Sequence, residues 1–219
     1  THDASSSGRR FSLIACALVL VLAVDHGTLL PVPLFPLDDA YIAAHNAAVL
    51  RSGDDPNFPG VSALSGSTSL VHLLLVSAAQ TIVPLAWASW SIAWLGILLL
   101  VTGVCRLICL ARVPWYLGAL LLWLSLLAAD AGYQVLNGIE TGLAMASIAW
   151  AFALRLERVE RWPWLLPSLI GLLPLVRPEL GLLSALLWLE RGLSVAPERR
   201  VRRLALDAAL ALPLLDPGV

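Results

Sequence analysis

Two adjacent aspartates, Asp38 and Asp39, open the one sizeable polar stretch of an otherwise apolar chain. The stretch covers residues 34–60 and holds four aspartates in all. A neighbouring pair of carboxylates can remove a proton from an attacking hydroxyl as a general base, hold a divalent cation, or cap a helix. The residue types leave these three roles open.

The residues that follow the pair have helical spacing. Either aspartate is a good N-cap for a helix that runs to about Arg51, with Gly53 just past its end. At 3.6 residues per turn, one face of this helix carries the side chains at i, i+3, i+4 and i+7, which are Asp38, Tyr41, Ile42 and His45. Asp39 points about a quarter-turn away from that face. Downstream, the sequence SGSTS offers hydroxyl caps to the next helix.

The composition predicts that lipid solvates most of the chain. Of its 219 residues, 59% are hydrophobic and 13% are charged, and the mean hydropathy is +0.83. A soluble domain carries about 25% charged residues, and one core of this length cannot hide so much apolar surface. The net charge of −1 argues against a nucleic-acid partner.

Charge placement predicts the topology of the N-terminal half. Arg9 and Arg10 precede an apolar run, which predicts a cytoplasmic tail at 1–10 and a retained first span at 11–30. The loop at 31–67 then lies on the periplasmic, extracytoplasmic side. A short interfacial helix at 68–83, ended by Pro84, and a full crossing at about 86–111 follow. A crossing by 68–83 would invert the pattern downstream.

Five further helices fit between the remaining charged points, at roughly 113–135, 139–156, 162–176, 180–191 and from 203 onward. This arrangement puts every arginine cluster on the inner side, and it puts Asp130, Glu140 and the Arg177–Glu179 segment near the outer side. The sequence therefore predicts an all-α polytopic transmembrane bundle in the inner membrane. It forms one domain over 1–219, with about six spans after the interfacial helix, and we expect it to be incomplete at its C-terminus.

The polar stretch resembles the first outer loop of GT-C glycosyltransferases, which are integral membrane enzymes that take sugars from polyprenyl-phosphate donors. The resemblance rests on DDAYIAAHNAAVLRSG, then NFPG, then SGSTS before an apolar helix. Two later elements recur in the same order, GIET at 138–141, similar to a G-L-E-T at a helix start, and VRPE at 176–179, similar to an R-P-E before another helix.

The terminal arabinofuranosyltransferases of mycobacterial walls carry this set of motifs. The protein O-mannosyltransferases and the lipid A aminoarabinose transferases are more distant relatives. The resemblance covers roughly residues 9–192. The chain departs from the pattern in reading NFPG for F-N-P-G, and in having Ala-Ala-His-Asn where many members have bulkier Arg and Tyr. The family also runs well beyond 219 residues, often with a soluble outer domain.

The resemblance implies a fold, a reaction and a set of site residues. The fold is the GT-C-like bundle, with short juxtamembrane helices in the first extracytoplasmic loop. Asp38 or Asp39 would be the general base in an inverting transfer of a sugar to a glycan, lipid or protein hydroxyl. Arg177 would stabilise the departing phosphate, or would only pair with Glu179 to staple a helix hairpin. No cofactor is certain, and a divalent cation at Asp38 and Asp39 stays open.

The roles of three other side chains are each open to two interpretations. Glu140 either caps the helix that starts at Thr141 or contacts the substrate. Tyr41 and His45 either stack on or hydrogen-bond a sugar, or pack against the membrane face. His72, on an apolar helix, is interpreted as structural.

Two other classes of protein remain open from the sequence. A transporter or flippase-like protein needs paired polar breaks inside its helices and often repeated halves, and only the break at Arg177 is seen. A non-catalytic membrane subunit, whose outer loop binds a partner, would tolerate loss of the aspartate carboxylates.

Overall fold

The computed structural model describes residues 35, 38–64, 67–127, 137–157, 163–194 and 205. Every regular element in these ranges is a helix, as the sequence predicts. The helices are α1 (Asp38–Ser52), α2 (Leu70–Ala79), α3 (Leu85–Leu110), α4 (Trp115–Leu127), α5 (Thr141–Glu157), α6 (Leu165–Val176) and α7 (Gly181–Leu193), with a 3₁₀ turn at Pro178–Leu180 between the last two. The predicted tail at 1–10, the first span at 11–30, Asp130 and the helix from 203 onward lie outside the described residues or almost wholly so.

Local signals set the ends of the helices around the polar stretch. α1 ends where Gly53 adopts φ +81°, a conformation that suits glycine, and the Gly53 N–H donates to the Val49 carbonyl at 2.9 Å. Ser69 caps α2, because its hydroxyl accepts a hydrogen bond from the His72 N–H at 3.1 Å. Pro84 separates α2 from α3. The short helix predicted at 68–83 and the long one at 86–111 are therefore both present.

α3 is long and apolar enough to cross a membrane. It has 26 residues and a mean hydropathy of 2.3 in its most apolar window, of which 39% is buried. At 1.5 Å per residue it measures about 39 Å, more than the ~30 Å hydrocarbon core of a bilayer. The other helices of the described ranges are shorter. The described part of the chain thus contains one candidate spanning helix, and the further spans stay a prediction.

α3 and α5 pack against each other along most of their length in the same direction. The contacts advance in step along both helices, from Gly96 on Gly142, through Gly103 on Trp150, to Arg106 paired with Glu157. Small residues let the two backbones approach closely. A Cβ added at Gly96 would lie only 3.0 Å from the Gly142 carbonyl carbon. Because α3 and α5 are parallel, the chain between them must return across the bundle, and α4 begins this return.

The helices α6 and α7 run in opposite directions beside α5. Val176 at the end of α6 lies in a buried cluster with Leu143 near the start of α5, while Leu166 at the start of α6 lies in another with Leu154 near the end of α5. α6 is therefore antiparallel to α5. α7 returns beside them, and Glu190 near its end pairs with Arg155.

The bundle consequently has two distinct ends. One, which we call the arginine end, holds the Arg106–Glu157 and Arg155–Glu190 ion pairs. The other, which we call the cavity end, holds the starts of α3, α5 and α7. Since α5 has 17 residues, the two ends are about 25 Å apart along its axis.

The outer surfaces of α4 and α7 are strongly apolar. α4 exposes a nearly continuous set of large side chains, Trp115, Tyr116, Leu117, Leu120, Leu121, Trp123 and Leu124. α7 exposes Leu182, Leu186, Leu189 and Leu193 along one side. Contiguous apolar surface of this extent marks contact with a membrane or with another protein. The lipid solvation expected from the composition stays a prediction for this surface.

We expect Gly96→Leu to destabilise the bundle by about 1–3 kcal/mol, because the new side chain has no room between the α3 and α5 backbones. Thr102→Leu is the matched control, since Thr102 is exposed on the same helix. The check is the thermal unfolding midpoint of each variant in lipid nanodiscs. Equal midpoints for the two variants would contradict the backbone contact.

Candidate functional site

A cavity of about 190 Å³ lies at the cavity end, between α1, α2, the start of α5 and the end of α6. Its polar wall is formed by Asp39, Asn46, Thr68, His72, Glu140 and Arg177. Pockets that take drug-sized ligands hold roughly 300–1,000 Å³. A single small group, such as one sugar ring or one phosphate, suits the space better than a larger ligand.

α1 presents a stripe that starts at Asp39. Asp39, Ile42 and Asn46 line the cavity, and they are spaced i, i+3 and i+7. The adjacent side of α1, about a quarter-turn from this stripe, carries small buried residues, including Ala40 and Ala47, each 0% exposed. Because these alanines are small, α1 can lie close to the bundle, and this fixes the direction in which Asp39 points. Asp38 begins the same helix, but its side chain lies outside the described part of the chain.

Tyr41 and His45 do not line the cavity, which corrects the predicted face of α1. The Tyr41 hydroxyl accepts a hydrogen bond from the Phe35 N–H at 3.3 Å, and the two rings meet edge to face at 6.1 Å. His45 Nε2 lies 3.0 Å from Asp55 Oδ2. The face that lines the cavity, with Asp39, Ile42 and Asn46, is displaced by one residue from the face counted from Asp38.

A glycine turn places Glu140 at the start of α5. Gly138 has φ +84°, and a Cβ there would lie 2.3 Å from the Phe35 ring, so only glycine fits. The Asn137 side-chain oxygen accepts a hydrogen bond from the Ile139 N–H at 3.2 Å and closes the turn. Phe35 thereby links the segment before α1 to the GIET element.

Glu140 is a buried carboxylate with two partners from other segments. It is 4% exposed, its Oε1 accepts a hydrogen bond from the Thr68 hydroxyl at 3.1 Å, and the same oxygen lies 3.2 Å from Arg177 Nε. Buried charges are tolerated in proteins when they are paired in this way. The carboxylate thus joins the approach to α2, the start of α5 and the end of α6.

Arg177 pairs mainly with Glu140 and not with Glu179. Its Nε lies 3.8 Å from Glu179 Oε2, and Glu179 is largely exposed and does not line the cavity. Surface pairs at such distances contribute little to stability. The predicted Arg177–Glu179 pair is therefore a minor contact, and the Arg177–Glu140 pair, which joins the end of α6 to the start of α5, is the principal one.

Asn46 and His72 are two cavity residues to which no binding role was assigned from the sequence. They are 9% and 2% exposed, and Asn46 Nδ2 and His72 Nε2 have no hydrogen-bond partner. Burial lowers the pKa of His72, and the nearby Glu140 carboxylate opposes this effect only in part. Asn46 could have been found by extending the helical stripe from Asp39, whereas the burial of His72 depends on packing that no local pattern reveals.

The described residues contain no group of three His, Cys, Asp or Glu side chains suited to a metal. Calcium takes six to eight oxygen ligands, whereas the Glu140 carboxylate in the cavity is already paired with a guanidinium. Of the two aspartates suggested to bind a cation, Asp38 and Asp39, the structure describes the carboxylate of Asp39.

Asp55 anchors the loop that follows α1. Its Oδ1 accepts hydrogen bonds from the N–H groups of Asn57 at 2.8 Å and Phe58 at 3.2 Å, and its Oδ2 faces His45. Burial alone would raise the pKa of Asp55, but these hydrogen bonds outweigh it and hold the pKa below its usual value. The NFPG element is therefore held by one carboxylate.

Comparisons of the chain with protein-family models, with curated proteins and with solved structures find no match. The geometry of the cavity and the sequence resemblance are thus the observations that bear on function.

We expect the loop at 53–60 to open as the pH falls below about 3.9, the value of an unfolded aspartate. Because the folded pKa of Asp55 is lowered, its contribution is complete above that pH and disappears as the pH falls through the folded pKa. Hydrogen exchange, corrected for its intrinsic pH dependence, measures the opening. Asp55→Asn should abolish this transition and Asp54→Asn should keep it. A transition retained in Asp55→Asn would rule out the anchor.

We expect Arg177→Ala to lower the free energy of unfolding by about 1–3 kcal/mol, since it leaves the buried Glu140 carboxylate without its cation. Glu179→Gln, which removes only the exposed contact, should cost under about 0.5 kcal/mol. Chemical denaturation in mild detergent measures both. Equal losses in the two variants would show that the pairing with Glu140 is not the principal one.

Proposed function

We propose that this chain is a GT-C-like membrane glycosyltransferase. It moves a sugar from a polyprenyl-phosphate donor to an acceptor hydroxyl on the periplasmic, outer face of the inner membrane, with inversion at the anomeric carbon. One observation carries the proposal. The Asp39 carboxylate and the Arg177 guanidinium, which are far apart in sequence, line the same cavity at one end of an apolar helical bundle.

Asp39 is the general base of the proposed reaction. Its side chain is exposed, lines the cavity, and has no hydrogen bond or ion pair among the described residues. Its oxygens are therefore free to accept a proton. The acceptor oxygen forms a bond to the anomeric carbon, its proton passes to the Asp39 carboxylate, and the bond from that carbon to the phosphate oxygen breaks with its electron pair.

Arg177 stabilises the phosphate as it leaves. A guanidinium has five N–H donors, so the approach of Nε to Glu140 leaves the terminal nitrogens for phosphate oxygens. Hydrogen bonds between charged partners are roughly twice as strong as those between neutral ones. The Glu140 carboxylate holds the arginine in place before the donor arrives, which reduces the cost of orienting it.

The apolar surfaces of α3, α4 and α7 fit a membrane location. The polyprenyl chain of the donor would lie in lipid beside these helices, with its phosphate at the cavity end. Arginines gather at the opposite end, and such residues favour the cytoplasmic side. The proposed orientation therefore exposes the cavity to the outer side, where a glycan, lipid or protein acceptor would bind.

We expect Asp39→Asn to lower sugar transfer by a factor of about 100 or more, because the amide cannot take the proton. Asp54→Asn, an exposed change in the same polar stretch, is the matched control and should keep full activity. The measurement is the glycan profile of a deletion strain complemented with each variant, with membrane insertion checked by immunoblot.

Asp38→Asn is tested in the same series, since either aspartate of the pair can be the general base. Full transfer by both single variants would refute the enzyme and would favour a non-catalytic subunit. Full transfer by Asp39→Asn alone would move the base to Asp38.

A further inference from the structure

Asn46 and His72 bring two unused nitrogen atoms to the inner wall of the cavity. Both side chains are at least nine-tenths buried, both line the cavity, and neither Asn46 Nδ2 nor His72 Nε2 has a hydrogen-bond partner. Leaving a buried polar atom unpaired costs free energy, and buried polar groups are seldom left so. Two such atoms on one cavity wall indicate a ligand that supplies the missing partners.

The two residues are held firmly by the packing of α1 against α2. Ala47 of α1 and Leu73 of α2, each adjacent in sequence to one of them, lie in the same buried cluster. The N–H of His72 also donates to the Ser69 hydroxyl that caps α2. Neither nitrogen can move far to find a partner in the protein, so the arrangement suits a preformed binding wall.

The charges around the cavity favour a neutral group at this wall. The cavity contains the carboxylates of Asp39 and Glu140 and one guanidinium, that of Arg177. A phosphate placed deep in the cavity would face both carboxylates. A hydroxyl can donate to a carboxylate and also accept from Asn46 Nδ2.

Hydroxyls also match the imidazole of His72. Burial lowers the pKa of this side chain, which favours the neutral ring. In a neutral ring Nε2 either donates or accepts, and a hydroxyl is complementary to both forms, whereas an ionised phosphate oxygen only accepts.

We propose that Asn46 and His72 form a subsite for the hydroxyl groups of one neutral sugar ring. The assignment rests on the proposed function, in which Asp39 and Arg177 act on either side of the same sugar. The cavity of about 190 Å³ leaves room for a single ring. His72 and Asn46 are then the residues that recognise the transferred sugar, a role that was one of two interpretations for Tyr41 and His45.

The test measures binding of simple probes to the full chain in lipid nanodiscs. The probes are the methyl glycosides of glucose, mannose, galactose and arabinose, and inorganic phosphate. We expect at least one glycoside to bind, and His72→Leu and Asn46→Leu each to weaken it about tenfold, the effect of losing one hydrogen bond.

Ser89→Ala is the matched control, because Ser89 is also a buried side chain with an unpartnered oxygen but lies in α3 outside the cavity lining. It should keep the affinity of the wild type. His72→Gln, which supplies an amide that can hydrogen-bond in place of the imidazole, should recover part of the affinity lost in His72→Leu. Where His72→Leu does not fold, Asn46→Ala carries the test.

The subsite is overturned if no glycoside binds, if the affinity survives in both leucine variants, or if inorganic phosphate binds in their place and depends on His72. The proposed reaction fails separately. Sugar binding that depends on His72, together with full transfer by both aspartate variants, keeps the subsite and refutes the enzyme. Loss of transfer in Asp39→Asn, together with unchanged glycoside binding in His72→Leu, keeps the proposed reaction and refutes the subsite.

Discussion

The buried ion pair between Glu140 and Arg177 is the interaction on which the cavity depends. The carboxylate is 4% exposed and has lost most of its water, so it needs both the guanidinium and the Thr68 hydroxyl. Glu140 and its two partners come from three separate segments of the chain. The need to neutralise one charge therefore determines how the approach to α2, the start of α5 and the end of α6 are arranged around the empty space between them.

The parallel packing of α3 and α5 supports that arrangement from the side. Glycines bring the two backbones together at Gly96 and Gly142, two residues after Glu140. The Trp150 indole adds a hydrogen bond to the Leu99 carbonyl of α3 at 2.9 Å. Together these contacts hold the first turn of α5, and with it the carboxylate. The separation of the Arg106 and Arg155 ion pairs from the cavity follows from the same alternation of helix direction.

The helices themselves could be predicted from the sequence because short-range rules set their ends. A proline at 84, a serine cap at 69 and a glycine at 53 are each sufficient locally, and the observed ends agree with them. The face of α1 could not be chosen in this way, since apolar residues of all sizes occur around the whole helix and give no single apolar stripe. Its orientation is decided by tertiary packing around Ala40 and Ala47.

The partners within the site were also beyond local reasoning. Glu179 was the one protein partner considered for Arg177, because the two are neighbours in the chain, whereas folding brings Glu140 nearer. The importance of His72 depends on two facts that only coordinates supply, namely its burial and its lack of a partner. Charge patterns along the sequence predicted which residues lie at the same end of the bundle, but they carried no information about distances.

The length of α3 has a consequence for the surroundings of the protein. At about 39 Å the helix exceeds the ~30 Å apolar thickness of an average bilayer, so as a spanning helix it would lie tilted. In the proposed membrane location, the tilt angle would depend on the acyl chains of the surrounding lipid, and the backbone contact at Gly96 would pass a change of tilt to the first turn of α5. The geometry around Glu140 would then be coupled to hydrophobic mismatch, and membrane thickness would influence the shape of the cavity.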